Sequence, residues 1–392
     1  MLNEEDVNKI SCPMRVFYID PQSYNNLSIY DESLLSNIQG HDIIYFCNEL
    51  YQIAPPDNVL QRKVFTYSNK KNSLAKGVSY MLSMLKILGA AITKHPSVVH
   101  VQWLRLWLFD YLFVWMLHLM KIKVLFTAHN VLPHESILSD EWKYRKYYHC
   151  VDGLIVHTNC AKKELVNKFG IPSDKVQVLF HGILKSPIPI GDIQRRTAQL
   201  KSKLKIDQHM MVFSSLGIQT HYKGVDLIVK VWAENTALRD NPDCMLLLIG
   251  RNRHIDYSPL STCRNVFILD EMVSDIDFQG YLHLSSLLLL PYRRISQSGV
   301  LLTAIGAGIP VLVSDVGGLT EPLSYGDVGW NIGAPTEENL ARYMLHFVSH
   351  RTEIDIKRSN ISDFEHLRQV YSWVTIGQRT SEFYMTIVKA SE

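Results

Sequence analysis

Short apolar, β-branched runs alternate with stretches of helical spacing along almost the whole chain. Residues 14–20 (MRVFYID) read as a strand, then a loop, then a helix over 31–38. Strands follow at 41–46 and, more briefly, at 64–67. Helical spacing over 74–92 leads to a strand at 97–102 (SVVHVQ), and a helix over 105–120 leads to one at 123–127 (KVLFT). A helix over 139–149, a strand at 153–157 (GLIVH), a helix over 160–168 and a strand at 176–179 close the series. Near-continuous apolar strands between helices predict a parallel sheet covered on both faces.

Residues 184–209 change character, because Pro187 and Pro189 precede a polar, charged stretch with the composition of a linker. The alternation then restarts. Strands are predicted at 211–216, 244–249, 265–269, 287–290 and 310–314, with helices at 225–232, 278–285 and 299–307. Two further helices, 337–349 and one near 372–389, fill the tail. The expected fold class is α/β, with two Rossmann-like, doubly wound domains facing a cleft across the carboxyl ends of their strands. The expected divisions are 1–190, 191–370 and a closing helical segment, 371–392.

At about 150 residues per domain, a chain of 392 residues fits that count. Hydrophobic residues at 47% and charged residues at 20% exclude global disorder. Cysteines at 12, 47, 150, 160, 244 and 263 form no CxxC pair, which excludes a zinc ribbon and a disulfide scaffold and fits a reducing compartment. Glu4, Glu5, Asp6, Lys9 and Arg15 crowd the first twenty residues, so no secretory signal is expected. The most apolar run, 106–120, contains Asp110 and His118 and falls short of the roughly 20 residues a spanning helix needs. It is expected to be a buried helix.

Net charge is +2, against a whole-molecule nucleic-acid binder, but the sum hides an asymmetry. Residues 1–190 carry 20 basic and 16 acidic side chains, whereas 191–392 carry 20 and 22. No acidic residue lies between Asp57 and Asp110, where eight basic ones do: Arg62, Lys63, Lys70, Lys71, Lys76, Lys86, Lys94 and Arg105. Such a run is the ordinary composition of a solvated face. Interleaved with Met81, Leu82, Met84, Leu85, Ile87 and Leu88, it also suits an anionic membrane surface, with Lys70, Lys71, Lys76 and Lys86 as contacts.

Candidate chemistry is sparse. Asp275-Ile276-Asp277 has metal-binding spacing, but Ser274 opens Ser-x-x-Asp ahead of a helix, so a capping box is expected and no metal. Gly306-Ala307-Gly308 follows a helix instead of opening one, as a helix end does. The turn 21–26 lacks glycine, so a diphosphate is expected in the second domain. There, Gly217 to Gly224 links a strand to a helix and carries Lys223, well placed to neutralise a phosphate. Ser298-Gly299 opens another helix, either as a second anion site or as an ordinary N-cap. His129 ends the strand VLFTAHN, where it either contacts a substrate or satisfies loop carbonyls.

Taken as a series, these stretches resemble the retaining glycosyltransferases of family GT4, which have the GT-B fold. The matching segments are VLFTAHNVLPHE (124–135), GLIVHTNCAKKEL (153–165), VQVLFHG (176–182), the Lys223-Gly224 turn and LLLIG (246–250). LLPYRRISQSGVLLTAIGAGIPVLVSDVGGLTE (289–321) and YSW (371–373) complete the set. The resemblance implies a nucleotide-sugar donor, transfer of a hexosyl group with retained anomeric configuration, no metal or other cofactor, and a closing helix that packs back on the first domain. UDP is favoured as the nucleotide. By the same resemblance, the first domain would take a saccharide or lipid-linked glycan acceptor in surface-polysaccharide or O-antigen-type assembly, at the cytoplasmic face of the membrane. Lys223 matches the lysine on the donor diphosphate, His129 the histidine beside the donor sugar, and Ser298 and Gly299 the loop receiving the distal phosphate. Gly317, Gly318 and Glu321 match the turn behind the sugar, while Asp270 and Glu271 lie where the nucleobase is edged.

The chain also departs from the family pattern. Ile295 and Thr303 stand where many members carry two glutamates, and Thr220 where an arginine commonly precedes the lysine. Arg251, Arg293 or Arg294, with the Gly217 turn, are candidates to replace that charge at the donor site. These departures keep open a second reading, a non-catalytic GT-B partner that stabilises another glycosyltransferase. A phosphorylase is disfavoured, because no lysine stands in a pyridoxal-type context.

Overall fold

The computed structural model describes residues 13–24, 26–133, 138–184 and 186–390. The chain divides into two units, Met1–Gly182 with Ser372–Glu392, and Ile183–Tyr371. In the first unit the described strands are β1 (Met14–Ile19), β2 (His41–Asn48), β3 (Val59–Phe65), β4 (Val98–Val101), β5 (Lys123–Ala128), β6 (Gly153–Val156) and β7 (Val176–Val178). They pair in parallel in the order β3-β2-β1-β4-β5-β6-β7. The second unit holds β8 (Met211–Leu216), β9 (Cys244–Ile249), β10 (Val266–Leu269), β11 (Leu287–Leu290), β12 (Val311–Val313) and β13 (Gly329–Asn331). Their order is β10-β9-β8-β11-β12-β13, again parallel.

Both orders reverse direction once, between β1 and β4 and between β8 and β11. Loops leaving those neighbouring strands diverge to opposite faces, which opens a crevice at the carboxyl edge of each sheet. The strands read as unbroken apolar runs because helices bury both faces: Val16–Ile19 and Leu246–Ile249 are fully enclosed. Phe17, Phe126 and Tyr148 join one core, Phe213, Trp232 and Leu248 the other.

Four expectations change. The strand expected at 64–67 is β3, which starts at Val59, and Tyr67 begins a short 3-10 turn. As the edge strand, β3 exposes Arg62 and Lys63, and that solvated face masked its periodicity. The presumed linker contains the helix Ile190–Lys203, whose buried Ile193 and Leu200 face the helix Asp275–Leu284. Arg196 pairs there with Asp277, and the unit boundary therefore falls at Gly182 rather than at 190. Third, β13 and two helices, Arg351–Ser359 and Ile361–Val370, add to the tail. Finally, the helix Trp107–Leu119 is buried on one face only; Leu108, Leu112, Trp115 and Leu119 are exposed.

The closing helix, Trp373–Lys389, belongs to the first unit. Tyr384 meets His100 at 2.7 Å, and Gly377 backs onto Asn37. Ser274 caps the Asp275–Leu284 helix and Asp277 is bound to both Ser274 and Arg196, as a capping role requires. No disulfide joins the described cysteines. Glu4, Glu5, Asp6, Lys9 and Cys12, Asn25 in the glycine-free turn, and His134 and Glu135 in the VLFTAHNVLPHE stretch lie outside the described residues.

The packing at Gly377 is testable against a solvent-facing glycine. A Cβ at Gly377 would stand 2.2 Å from the Asn37 carbonyl oxygen, whereas one at Gly89 meets nothing within 4 Å. Gly377→Ala should cost about 1–3 kcal/mol of overpacking, and Gly89→Ala should add about 0.5–1 kcal/mol of helix stability. Urea denaturation followed by circular dichroism checks both signs.

Candidate functional site

In the second unit, the crevice between β8 and β11 is built first by backbone. Gly217 leaves β8 at φ +89°, and a Cβ on the neighbouring Gly250 (φ +127°) would lie 2.3 Å from the Gly217 carbonyl. Only glycine permits that approach. Gln219, fully buried, ties the turn down: its amide nitrogen donates to the carbonyls of Gly217 (2.6 Å) and Ile249 (3.0 Å), and Ser215 donates to its oxygen. The chain then passes through the 3-10 turn His221–Lys223 to Gly224, which abuts the Pro291 carbonyl.

Lys223 Nζ stands over Gly217, 3.2 Å from where a Cβ would sit, and Val300 of the helix Gly299–Gly306 lies 3.7 Å from the same point. The ammonium therefore shares one small region with that helix's first turn. No carboxylate pairs with Lys223 among the described residues. Burial lowers its pKa to about 8. Ser298 caps the helix, accepting from the Leu301 N–H at 3.3 Å, which leaves the N–H groups of Gly299 and Val300 without acceptors among the described residues. A cation unpaired among the described residues, beside open N–H groups at a helix start, makes a candidate anion site. Gly317 and Gly318 brace the loop from behind: Gly317 (φ +58°) is pressed on the Ile295 carbonyl, and Gly318 N–H donates to Ser296 at 3.1 Å.

The remaining candidates of this unit divide by what they bond. Arg293 donates twice to Asp226 (2.6 and 2.7 Å) and once to the His221 carbonyl (2.6 Å), so it holds the lysine turn in place. Arg251 and Arg294 are exposed, with no side-chain partner among the described residues. Thr220 buries its hydroxyl with no partner among the described residues, and the Thr303 hydroxyl donates to the Gly299 carbonyl at 2.8 Å. Asp270 accepts from the Asn252 N–H at 2.6 Å, Glu271 is exposed beside it, and Glu321 begins the 3-10 turn after the glycine pair.

In the first unit, adjacent parallel strands deliver polar side chains side by side along the carboxyl edge. Gln102 follows β4, His129 follows β5, His157 follows β6 and Leu179 follows β7. His157 Nδ1 lies 2.8 Å from the Leu179 carbonyl, His157 Nε2 3.1 Å from His129 Nδ1, and His129 Nε2 3.0 Å from the Gln102 amide. That amide continues to His100 Nε2 at 2.9 Å. Burial pushes His157 down to about 4, His100 to about 3, and His129 well below the usual range, so all three rings are neutral at pH 7.

Neutrality fixes the tautomers. The Leu179 carbonyl only accepts, so His157 carries its proton on Nδ1 and accepts at Nε2. His129 then donates from Nδ1 and accepts at Nε2, an assignment that turns the Gln102 amide over, since its Oε1 faces His129 and its Nε2 faces His100 in the structure. His129 also stacks on Trp103, ring centroids 4.5 Å apart. Both ring nitrogens of His129 are therefore used inside the unit. Near Trp103, Asp20 and Asp31 are both buried; burial raises the pKa of each, and the Tyr18 and Tyr45 hydroxyls donate to Asp31.

Two family models cover most of the chain: Glycosyltransferase Family 4 matches residues 34–184, and Glycosyl transferases group 1 matches residues 208–350. The fold is shared with solved glycosyltransferases. One from Rickettsia africae superposes with a TM-score of 0.71 at 15% identity, over 97% of this chain and 100% of that one. Anabaena HepE, solved with UDP, gives 0.70 at 13% identity, over 95% and 100%. The chain belongs to the GT4-type glycosyltransferases. A curated relative, the uncharacterized glycosyltransferase MJ1607 of Methanocaldococcus jannaschii, is 23% identical over 199 residues, 46% of this chain and 48% of its own length.

For this glycosyltransferase, sequence reasoning reached Gly217, Lys223, Ser298 and Gly299, which the fold gathers at one crevice, and His129, which belongs to the other unit. It missed Gln219, Gln102, His157 and the Asp20–Asp31 pair. A signal existed for two of them, since SVVHVQ and GLIVH each end on a polar side chain, as VLFTAH does. Long-range ¹H–¹⁵N NMR should find His157 and His129 protonated on Nδ1. His157 should titrate at about pH 4 and His129 well below the usual imidazole range, because a pKa lowered by burial keeps the neutral form until the solution is acid. Titration near pH 6.5 would contradict the network.

Proposed function

We propose that the chain is a retaining, metal-independent glycosyltransferase that moves a sugar from a UDP-sugar to a saccharide or lipid-linked glycan, in surface-polysaccharide assembly at the cytoplasmic face of the membrane. The observation that carries this reading is Lys223, a half-buried ammonium with no carboxylate partner among the described residues, beside the open N-terminus of Gly299–Gly306 at the strand-order reversal. The co-crystallised UDP and UDP-glucose of HepE support the choice of nucleotide.

As the glycosidic bond breaks, negative charge grows on the diphosphate and positive charge on the anomeric carbon. Lys223 and the Gly299 and Val300 N–H groups stabilise the first, prepaid by a turn that Gln219 and Arg293 hold rigid. A leaving phosphate oxygen takes the proton of the attacking hydroxyl, so no separate base is needed. His129 offers its backbone carbonyl to a sugar hydroxyl, with its ring fixed by Gln102 and His157. Arg251 and Arg294 remain available to the donor as exposed cations; Arg293 acts through the turn. The second reading, a non-catalytic partner, draws on Thr220 and Thr303, which bring no charge to the site.

Labelled UDP- and GDP-sugars separate the two readings: neither donor hydrolysis nor binding at millimolar concentration would leave only the partner role. Lys223→Ala should reduce UDP affinity by about 10- to 100-fold, the worth of a charge-assisted contact.

Free Lys223 titrates near pH 8, and a bound diphosphate favours its charged form. Binding therefore takes up a proton above pH 8. UDP affinity should hold steady below pH 7 and fall by up to about tenfold per pH unit above 8. Lys223→Arg should flatten that profile in isothermal titration calorimetry, because its guanidinium stays charged.

A further inference from the structure

Two neighbouring helices of the first unit are apolar on the side that faces away from the protein. Ser73–Lys94 buries Tyr80, Met84, Ile87 and Ala91 in the core. Its opposite side presents Leu74 (80% exposed), Val78, Leu82 and Leu85 to solvent. Trp107–Leu119, packed beside it, buries Phe113, Val114 and Leu117 while exposing Leu108, Leu112, Trp115 (54%) and Leu119 (65%). Steps of three and four residues keep each set on one stripe. A helix apolar on both sides normally lies within a core or a membrane. Ser73–Lys94 is long and apolar enough to cross a bilayer, yet its inner row is committed to the core, which leaves the outer row for a surface.

Charge identifies what covers it. Lys70, Lys71, Lys76 and Lys86 are exposed beside the stripe and in no ion pair among the described residues. Residues 58–109 contain no carboxylate side chain. A shallow cavity of about 200 Å³ opens alongside, with an apolar floor of Ile44, Phe46, Val64 and Ala90 and with Arg62, Lys86 and Lys94 at its edge. Greasy floor and cationic edge match an anionic lipid. A second copy of the chain would instead set these lysines against their own symmetry mates.

We infer that the two helices form a wedge inserted in the plane of an anionic bilayer. Trp115 and the leucines lie at the acyl boundary, and Arg62, Lys86 and Lys94 hold lipid phosphates. This extends the membrane reading above from electrostatic contact to apolar insertion, and it needs no turnover to be tested.

The test is co-sedimentation with phosphatidylglycerol–phosphatidylcholine vesicles and with phosphatidylcholine alone, at about 0.1 and about 0.5 M sodium chloride. Binding should require the anionic lipid at low salt and persist in part at high salt, with a blue shift of tryptophan emission that Trp115→Phe diminishes. The exposed-site double variant Leu112→Ser/Trp115→Ser should lose at least about tenfold in partitioning. Lys86→Gln/Lys94→Gln should weaken binding chiefly at low salt. Wild-type affinity in the Leu112/Trp115 variant overturns the insertion, as does failure of the wild type to bind either vesicle. A dimer in solution abolished by the same double variant would assign the face to a second copy. UDP binding, measured calorimetrically on each variant, should be unchanged; its absence in a protein that still binds vesicles counts against the donor reading alone.

Discussion

Parallel pairing brings the carboxyl ends of neighbouring strands to one edge of a sheet, about 5 Å apart, and the chemistry of this chain hangs from two such edges. In the first unit that spacing lets Gln102, His129, His157 and the Leu179 carbonyl join into one hydrogen-bonded row. In the second it brings the turn after β8 against the helix that follows β11, with Lys223 above Gly217. Neither arrangement requires long-range design beyond strand order: once β1 lies beside β4 and β8 beside β11, the crevices open where the connections part.

Burial then decides which polar groups are spent and which are available. Arg293 has two carboxylate oxygens and a carbonyl, and so serves as a strut. Lys223 pairs with no carboxylate among the described residues, and burial lowers its pKa to about 8. The histidines of the first unit follow the opposite course. Their burial makes them neutral, and neutrality dictates a single direction for every hydrogen bond in the row. The role proposed for Lys223 toward a departing diphosphate rests on this contrast between one unpaired cation and a row of neutral histidines.

The same bookkeeping of burial explains the solvent side of Ser73–Lys94 and Trp107–Leu119. Their inner rows satisfy the core, while their outer rows are apolar too and are exposed among the described residues. Periodicity cannot distinguish a helix that is apolar because it is enclosed from one that is apolar because it meets two different neighbours. That is why the run 106–120 read as buried.

Residue order by itself determined the doubly wound α/β class and most strand positions, because unbroken apolar strands between helices admit few architectures; the glycosyltransferase family was legible only as a resemblance carried by the series of motifs from 124–135 to 371–373. It also exposed Lys223 and the Ser298 loop, since glycine-flanked turns after strands are visible locally. What only the tertiary structure decided is partnership. The helix Ile190–Lys203 looked like a linker until Asp277 and the Asp275–Leu284 helix supplied its other half. Arg293 looked like a donor ligand until Asp226, 67 residues away, claimed it. Gln219 carried no local signature of its task, and the polar end of GLIVH did not reveal the partners of His157, because hydrogen-bond roles depend on atoms brought close by strand order, and strand order is not written in any one segment.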